Sequence, residues 1–289
     1  MSSRHPLLEI SGLQKSYHQV VLADVDFDLR AGEVHALVGE NGAGKSTLSK
    51  IICGLTNPDK GSMLLRGKPY SPEDLKDAAV HGIRIVQQEL NLIGTLTVAE
   101  NMFLAELPNR FGIIDKGRLR EEAAGVLDRL GVGGIDPNRN ADALGIGQKQ
   151  MVEVASGIMQ ECSVLILDEP TAALTDTECS VLFKQIEQLK ASGTAVIYIS
   201  HRMEEIRQIS GRITVLRDGK KIGTYDTSSV STEDIVRAMV GRDLDDIGEP
   251  TRRETGEVAL RVEGLCSGQA VRGVDFQVHQ GEILGFAGL

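Results

Sequence analysis

Gly39-Glu40-Asn41-Gly42-Ala43-Gly44-Lys45-Ser46-Thr47 is the stretch on which the fold turns. It has the form G-x-x-x-x-G-K-[ST], follows the aliphatic run Val34–Val38 and precedes a helical pattern over Lys45–Cys53. A strand that turns through glycines into a helix gathers successive backbone N–H groups around one point, because glycine accepts dihedrals that other residues resist. The following helix aims the positive end of its dipole at the same point. The group that suits such a cradle is a phosphate. Lys45 is expected to reach the β- and γ-phosphates of a nucleotide, and Ser46 to ligate Mg²⁺.

Outward from this loop, short aliphatic runs alternate with helical patterns. Ile83–Val86, Val164–Leu167 and Ala195–Ile199 read as buried strands. Leu119, Ala123, Val126, Leu127 and Leu130 recur at helical spacing, as do Val181, Leu182, Ile186 and Leu189. This alternation predicts a mostly parallel sheet covered on both faces. Asp218-Gly219, between Ile213–Leu216 and Ile222–Tyr225, reads as a hairpin turn. The stretch Ala141–Ile158 reads as a glycine-punctuated loop feeding a helix.

Val164-Leu-Ile-Leu-Asp168-Glu169 ends a buried strand in two acids. Such a strand places them at the sheet edge beside the glycine loop. Asp168 is expected to hold Mg²⁺ through water, and Glu169 to act as general base on an attacking water. An acid pair at a strand end is common by itself. Its place downstream of the loop, with Pro170-Thr171 behind it, gives it weight.

Composition narrows the function classes. Lys and Arg number 31 against 41 Asp and Glu, a net charge of −10, which argues against nucleic-acid binding through overall positive charge. Aromatic residues are 3% and Trp is absent, so stacking platforms for single strands are not expected. A 41% hydrophobic fraction over 289 residues is enough for a sizeable core. Cys53, Cys162, Cys179 and Cys266 form no C-x-x-C pair, and they read as reduced thiols in a cytoplasmic setting. No apolar run reaches the roughly 18–20 residues of a membrane span. The start, MSSRHPLLEI, lacks a signal-peptide apolar region. A membrane role is therefore expected to come through partners.

The chain also repeats itself. Leu260-Arg-Val-Glu-Gly-Leu265 echoes Leu8-Glu-Ile-Ser-Gly-Leu13, and the ten residues from Val274 echo those from Val25. The second echo places Gly288 opposite Gly39, so 258–289 reads as the start of a second copy in a partial chain. The polar, charged stretch 242–257 reads as a linker.

With these motifs in place, the chain resembles the ATP-binding subunit of ABC transporters, continuously over 7–241. The resemblance implies an α/β fold: a P-loop NTPase (RecA-like) parallel-sheet core, an antiparallel β subdomain and a helical signature subdomain over about 92–160. Tyr17 matches the aromatic that stacks on adenine. Gln88, with Gln87 as the alternative register, matches the glutamine that senses Mg²⁺ and the γ-phosphate. Leu144-Gly145-Ile146-Gly147-Gln148 stands at the signature position, which in the family closes on nucleotide held by the opposite half. Ala173-Leu174-Thr175 matches the loop after the acids, and His201 the switch histidine that contacts the γ-phosphate.

Within the family, Gln88–Leu92, Gly147–Glu153, Thr171–Glu178 and Met239–Arg242 look like the subunits of simple-sugar importers (ribose, xylose or galactose), whose members fuse two ATP-binding halves. The implied function is ATP hydrolysis that powers sugar import. The implied partners are two membrane permease subunits, an extracytoplasmic sugar-binding protein, and a second ATP-binding half or a second copy of this chain, with no nucleic acid. The implied location is peripheral, at the cytoplasmic face of the plasma membrane. The segment Leu90–Leu107 looks like the lever toward the permease. A soluble ABC-type regulatory ATPase is the alternative, but the basic extension or long coiled coil of such relatives is missing. A GTPase would need an N-K-x-D motif, which is absent.

Two positions depart from the family pattern. Gly145 stands where a serine hydroxyl usually meets the γ-phosphate, so the site completed by this signature is expected to be weakened. Thr175 replaces a common Asp, as the sugar group often does.

Overall fold

Chain order gives β1 (Leu8–Ser16), β2 (Val20–Leu29), β3 (Val34–Val38), α1 (Lys45–Ile52), β4 (Lys60–Leu65), β5 (Lys68–Tyr70), α2 (Leu75–Val80), β6 (Ile83–Val86), α3 (Val98–Met102), β7 (Asn109–Arg110), β8 (Ile113–Ile114) and α4 (Lys116–Arg129). A 3-10 turn at Ala141–Ala143 leads to α5 (Ile146–Ile158), β9 (Val164–Asp168), α6 (Asp176–Ala191), β10 (Ala195–Ile199), α7 (Met203–Ile209), β11 (Arg212–Arg217), β12 (Lys220–Asp226) and α8 (Thr232–Val240). β13 (Val258–Ser267) and β14 (Val271–His279) follow. The computed structural model describes residues 6–88, 90–104, 107–110, 112–159, 161–241, 256–268 and 271–287. The chain divides into two units, Met1–Gly241 and Arg242–Leu289.

The first unit is built on a six-stranded sheet in the order β12-β11-β3-β10-β9-β6. All neighbours pair in parallel except β12, which returns antiparallel to β11 across Asp218-Gly219. Both turn residues have positive φ, +50° and +74°, as a two-residue hairpin turn requires. β3, β9 and β10 are buried at every position, so their aliphatic runs serve two faces at once. Val164 and Ile166 join the cluster that holds Leu48 and Ile51 of α1. Leu165 and Leu167 join the one that holds Val154 of α5 with Leu182 and Phe183 of α6. The expected strands and the two expected helices thus form where the periodicity put them.

A four-stranded antiparallel sheet, β2-β1-β4-β5, shares the first of these clusters through Leu8, Ile10, Phe27 and Leu29. A third cluster, with Val98, Leu119, Ala123, Leu127, Met151 and Val152, belongs to α3, α4 and α5. Burying each of the large apolar side chains contributes about 1.5–3 kcal/mol, so these clusters carry the unit. Arg212 of β11 reaches the second strand of the antiparallel sheet, with both terminal nitrogens 2.7 Å from Asp28 Oδ2.

The second unit shows one antiparallel hairpin, and it copies β1–β2. Leu8↔Leu29, Ile10↔Phe27 and Leu13↔Val25 reappear as Leu260↔Val278, Val262↔Phe276 and Leu265↔Val274. Gly12 (φ +62°) donates its N–H to Asp26 Oδ1, and Gly264 (φ +60°) donates to Asp275 Oδ1 in the same way. Past the third pair, the second hairpin is three residues shorter. Gly256 and Glu257, at the end of the expected linker, hydrogen-bond with Gln280. The rest of that linker, 242–255, and Gly288 lie outside the described residues.

Candidate functional site

The glycine loop is shaped by its neighbours as much as by its own dihedrals. A Cβ at Gly39 would run into the Leu216 carbonyl, and one at Gly44 (φ +102°) would stand 2.5 Å from Leu22 Cδ2 and 2.9 Å from the Val21 carbonyl. The loop can pass between β11 and β2 only as glycine at these two points. Gly39, Glu40, Asn41, Gly42, Gly44, Lys45, Ser46 and Thr47 line a cavity of about 720 Å³, while Ala43 turns into the apolar core. Lys45 Nζ donates to the carbonyls of Gly39 at 2.8 Å and Glu40 at 3.0 Å. The ammonium is thus held inside the loop's own curve.

Asp168, Glu169, Gln88 and His201 line the same cavity. β9 and β10 run in parallel register up to Asp168↔Ile199, which brings the two strand ends level. Burial raises the Asp168 carboxyl above the usual carboxylate range, against the pull of a Ser46 hydrogen bond. Burial also lowers the Lys45 ammonium, with Glu169 and Asp168 opposing. His201 Nδ1 stands 3.0 Å from Glu169 Oε1 and 2.9 Å from Oε2. Oε2 is buried. Glu169 also holds a left-handed backbone, φ +51°, which is unfavourable for a residue with a Cβ. A carboxylate that lines the cavity with an imidazole beside it can take a proton from a water there.

The donor set suits a hard divalent cation: the Ser46 hydroxyl and the Asp168 carboxylate, both oxygen donors, line the same cavity. Among the described residues no cluster of three or more His, Cys, Asp or Glu is arranged to hold a metal by itself, so phosphate oxygens and water would have to complete the shell.

Other expected residues lie elsewhere. Tyr17 is 57% exposed, outside the cavity wall, with Lys15 Nζ 5.4 Å from its ring centroid. Leu144 to Gln148 open α5 and are likewise absent from that wall. Gly145 is the N-cap of α5, with no side chain to offer its free amides, and a Cβ there would meet nothing within 4 Å. Gly147 is small for a different reason: a Cβ would stand 3.0 Å from the Ala173 carbonyl. The Thr175 departure has a local explanation. Thr175 caps α6 in a reciprocal capping box with Glu178, work that Thr and Asp both perform.

Sequence reasoning missed four residues around the site. Val21, Ala172 and Met239 complete the cavity wall, and Glu205 lies behind it. Val21 had no local signal, since it comes from the start of β2, and Met239, near the end of α8, stood in a family-type run that said nothing of this cavity. An acid in the first turn of a helix reads from sequence only as a complement to the helix dipole.

Residues 22–172 match the family model described as ABC transporter. The chain is 48% identical over 96% of its length to the ribose import ATP-binding protein of Chromobacterium violaceum, and covers 56% of that relative. It is 46% identical over its whole length to a putative ribose/galactose/methyl galactoside import ATP-binding protein of Agrobacterium fabrum, and covers 57% of it. The chain thus spans about half the length of the curated relatives it matches. Among solved structures, a nucleotide-free ATP-binding cassette from an ABC transporter superposes over 85% of this chain and 100% of its own, at a TM-score of 0.70 and 23% identity, which speaks for the fold. Cradle, acid pair, sheet order and sequence agree, and the chain belongs to the ABC transporter family.

Proposed function

We propose that this chain is the nucleotide-hydrolysing part of an importer for a simple sugar. One observation carries the hydrolytic reading: the Glu169–His201 pair, 2.9–3.0 Å apart, shares a cavity with the glycine loop and Lys45. In this reading the loop amides and Lys45 hold the β- and γ-phosphates of ATP. Glu169 takes the proton of the attacking water, while His201 and Gln88 orient phosphate and water. Mg²⁺ held by Ser46 and Asp168, with Gln88 beside it, would supply charge neutralisation on the phosphate oxygens. Tyr17 would take the adenine from outside the present wall. The α5 end, Leu144 to Gln148, would close over nucleotide held by a second half, from the same full-length protein or another copy.

Support for sugar import comes from the sugar-import relatives, 46–48% identical to this chain, and from the sugar-type runs in the sequence. The permease partners have a candidate seat. A groove of about 570 Å³ is lined by Leu55, Leu75, Ile85, Met102 and Leu104, with the half-buried Glu153 carboxylate accepting the Asn91 N–H at 2.6 Å. Among the described residues no helix is long and apolar enough to cross a membrane. In this reading attachment at the cytoplasmic face runs through that seat.

The test is Glu169→Gln in the full-length protein. Nucleotide binding is expected to persist, while ATP turnover falls by about 10²–10⁴-fold. Undiminished phosphate release would remove the general-base role. Sugar uptake by vesicles holding the whole transporter checks the substrate, and uptake without ATP would remove the coupling.

A further inference from the structure

We infer that Glu205 is the positioning residue of the Glu169–His201 pair; the inference rests on the reading of that pair as the hydrolytic one. Glu205 sits in the first turn of α7 and is 5% exposed. Its Oε2 accepts three hydroxyl hydrogen bonds, from Thr171 at 2.8 Å, Tyr198 at 2.8 Å and Ser200 at 3.2 Å. Thr171 follows Glu169 by two residues, and Ser200 immediately precedes His201. One anionic oxygen therefore holds the segment that leaves the base and the segment that enters the histidine. Arg202 closes the unit from the other side, with NH1 2.6 Å from Glu205 Oε1 and its N–H donating to Ser200 Oγ at 3.0 Å.

The strands themselves need no such clamp, because the β9–β10 ladder already aligns them. That ladder ends at the site. Its last bond runs from the Glu169 N–H to the Ile199 carbonyl, 2.9 Å. Pro170 has no N–H to continue it. Past that point, apart from the Glu169–His201 contact itself, the next tie between the two segments among the described residues is Glu205. A left-handed Glu169 persists only where its surroundings over-determine it, and the Thr171–Glu205 bond fixes the chain two residues further on. Bonds to a carboxylate are roughly twice as strong as neutral ones, which explains an acid at this place rather than an amide. Tyr198, Thr171 and Ser200 are all buried, so water cannot replace the carboxylate.

The experiment measures kcat, KM and equilibrium affinity for a non-hydrolysable ATP analogue in the full-length protein. It compares Glu205→Ala, Glu205→Gln and the double variant Thr171→Val with Ser200→Ala, beside Glu169→Gln as reference. Glu205→Ala is expected to lower kcat by about 10- to 100-fold, as loss of alignment does, with analogue affinity changed less than about twofold. Glu205→Gln recovers part of that loss. The double variant, which keeps the charge and the Tyr198 contact, also lowers kcat and decides the matter should Glu205→Ala fail to fold. Unchanged kcat in the folded variants, or kcat, affinity and thermal midpoint falling together, would overturn the inference. Full turnover in Glu169→Gln would overturn the reading beneath it, and the inference with it.

Discussion

The hairpins β1–β2 and β13–β14 have the same register, the same glycine–aspartate bond and the same apolar alternation, yet their side chains live in different surroundings. Leu8, Leu13 and Val25 are fully buried, whereas their counterparts Leu260, Leu265 and Val274 are 50%, 46% and 39% exposed. The first hairpin is joined by β4 along one edge and covered by the cluster that reaches α1 and the parallel sheet. Among the described residues the second pairs with no further strand. The shared register and its glycine bulge are therefore local properties, set by alternation and by a glycine at positive φ. Burial is not local; it depends on what else the chain lays over the same face.

The comparison breaks most readily at its aromatic pair. Phe27 is 2% exposed and packs 4.7 Å from the His35 ring. Phe276, its counterpart, is half-buried and meets the Phe286 ring at 5.0 Å. Phe27→Ala is expected to cost about 3–5 kcal/mol in chemical denaturation, and Phe276→Ala about 1 kcal/mol or less. Equal costs would mean that the second hairpin is covered in solution. A smaller effect sharpens the likeness: Asp26→Ala and Asp275→Ala each remove a carboxylate acceptor from a glycine N–H. Each should speed exchange of that amide by about fivefold or more, the equivalent of about 1 kcal/mol. An effect at Gly12 without one at Gly264 would show that equal register hides unequal energies. The smallest effect belongs to a position with no counterpart in the second hairpin. Gly145→Ser adds a capping hydroxyl in open space and should raise the stability of α5 by a few tenths of a kcal/mol, read as a small rise in thermal midpoint. A fall of more than about 1 kcal/mol would show that the space is not open.

What could be read from the sequence was what is contiguous in it. The run from Val34 through the glycine loop into α1, and the run from Val164 to Glu169, carry their context with them, so their place at one sheet edge followed from pattern alone. Asp218-Gly219 announced its turn for the same reason. The Glu205 carboxylate was invisible because its partner Thr171 is 34 residues away, and the tie from Asp28 to Arg212 spans 184. Tyr17 shows the converse. A motif named the residue, but its ring stands exposed outside the cavity wall, with Lys15 Nζ 5.4 Å from its centroid. Thr175 looked like a departure until the capping box gave it a local task.

The left-handed backbone at Glu169 sets stability against chemistry at a single residue. Glycine, and to a lesser degree asparagine, would relieve about 1–2 kcal/mol there. A search of variants for heat tolerance alone would therefore discard the carboxylate that we propose as the general base. Only a screen that also reads phosphate release would keep it.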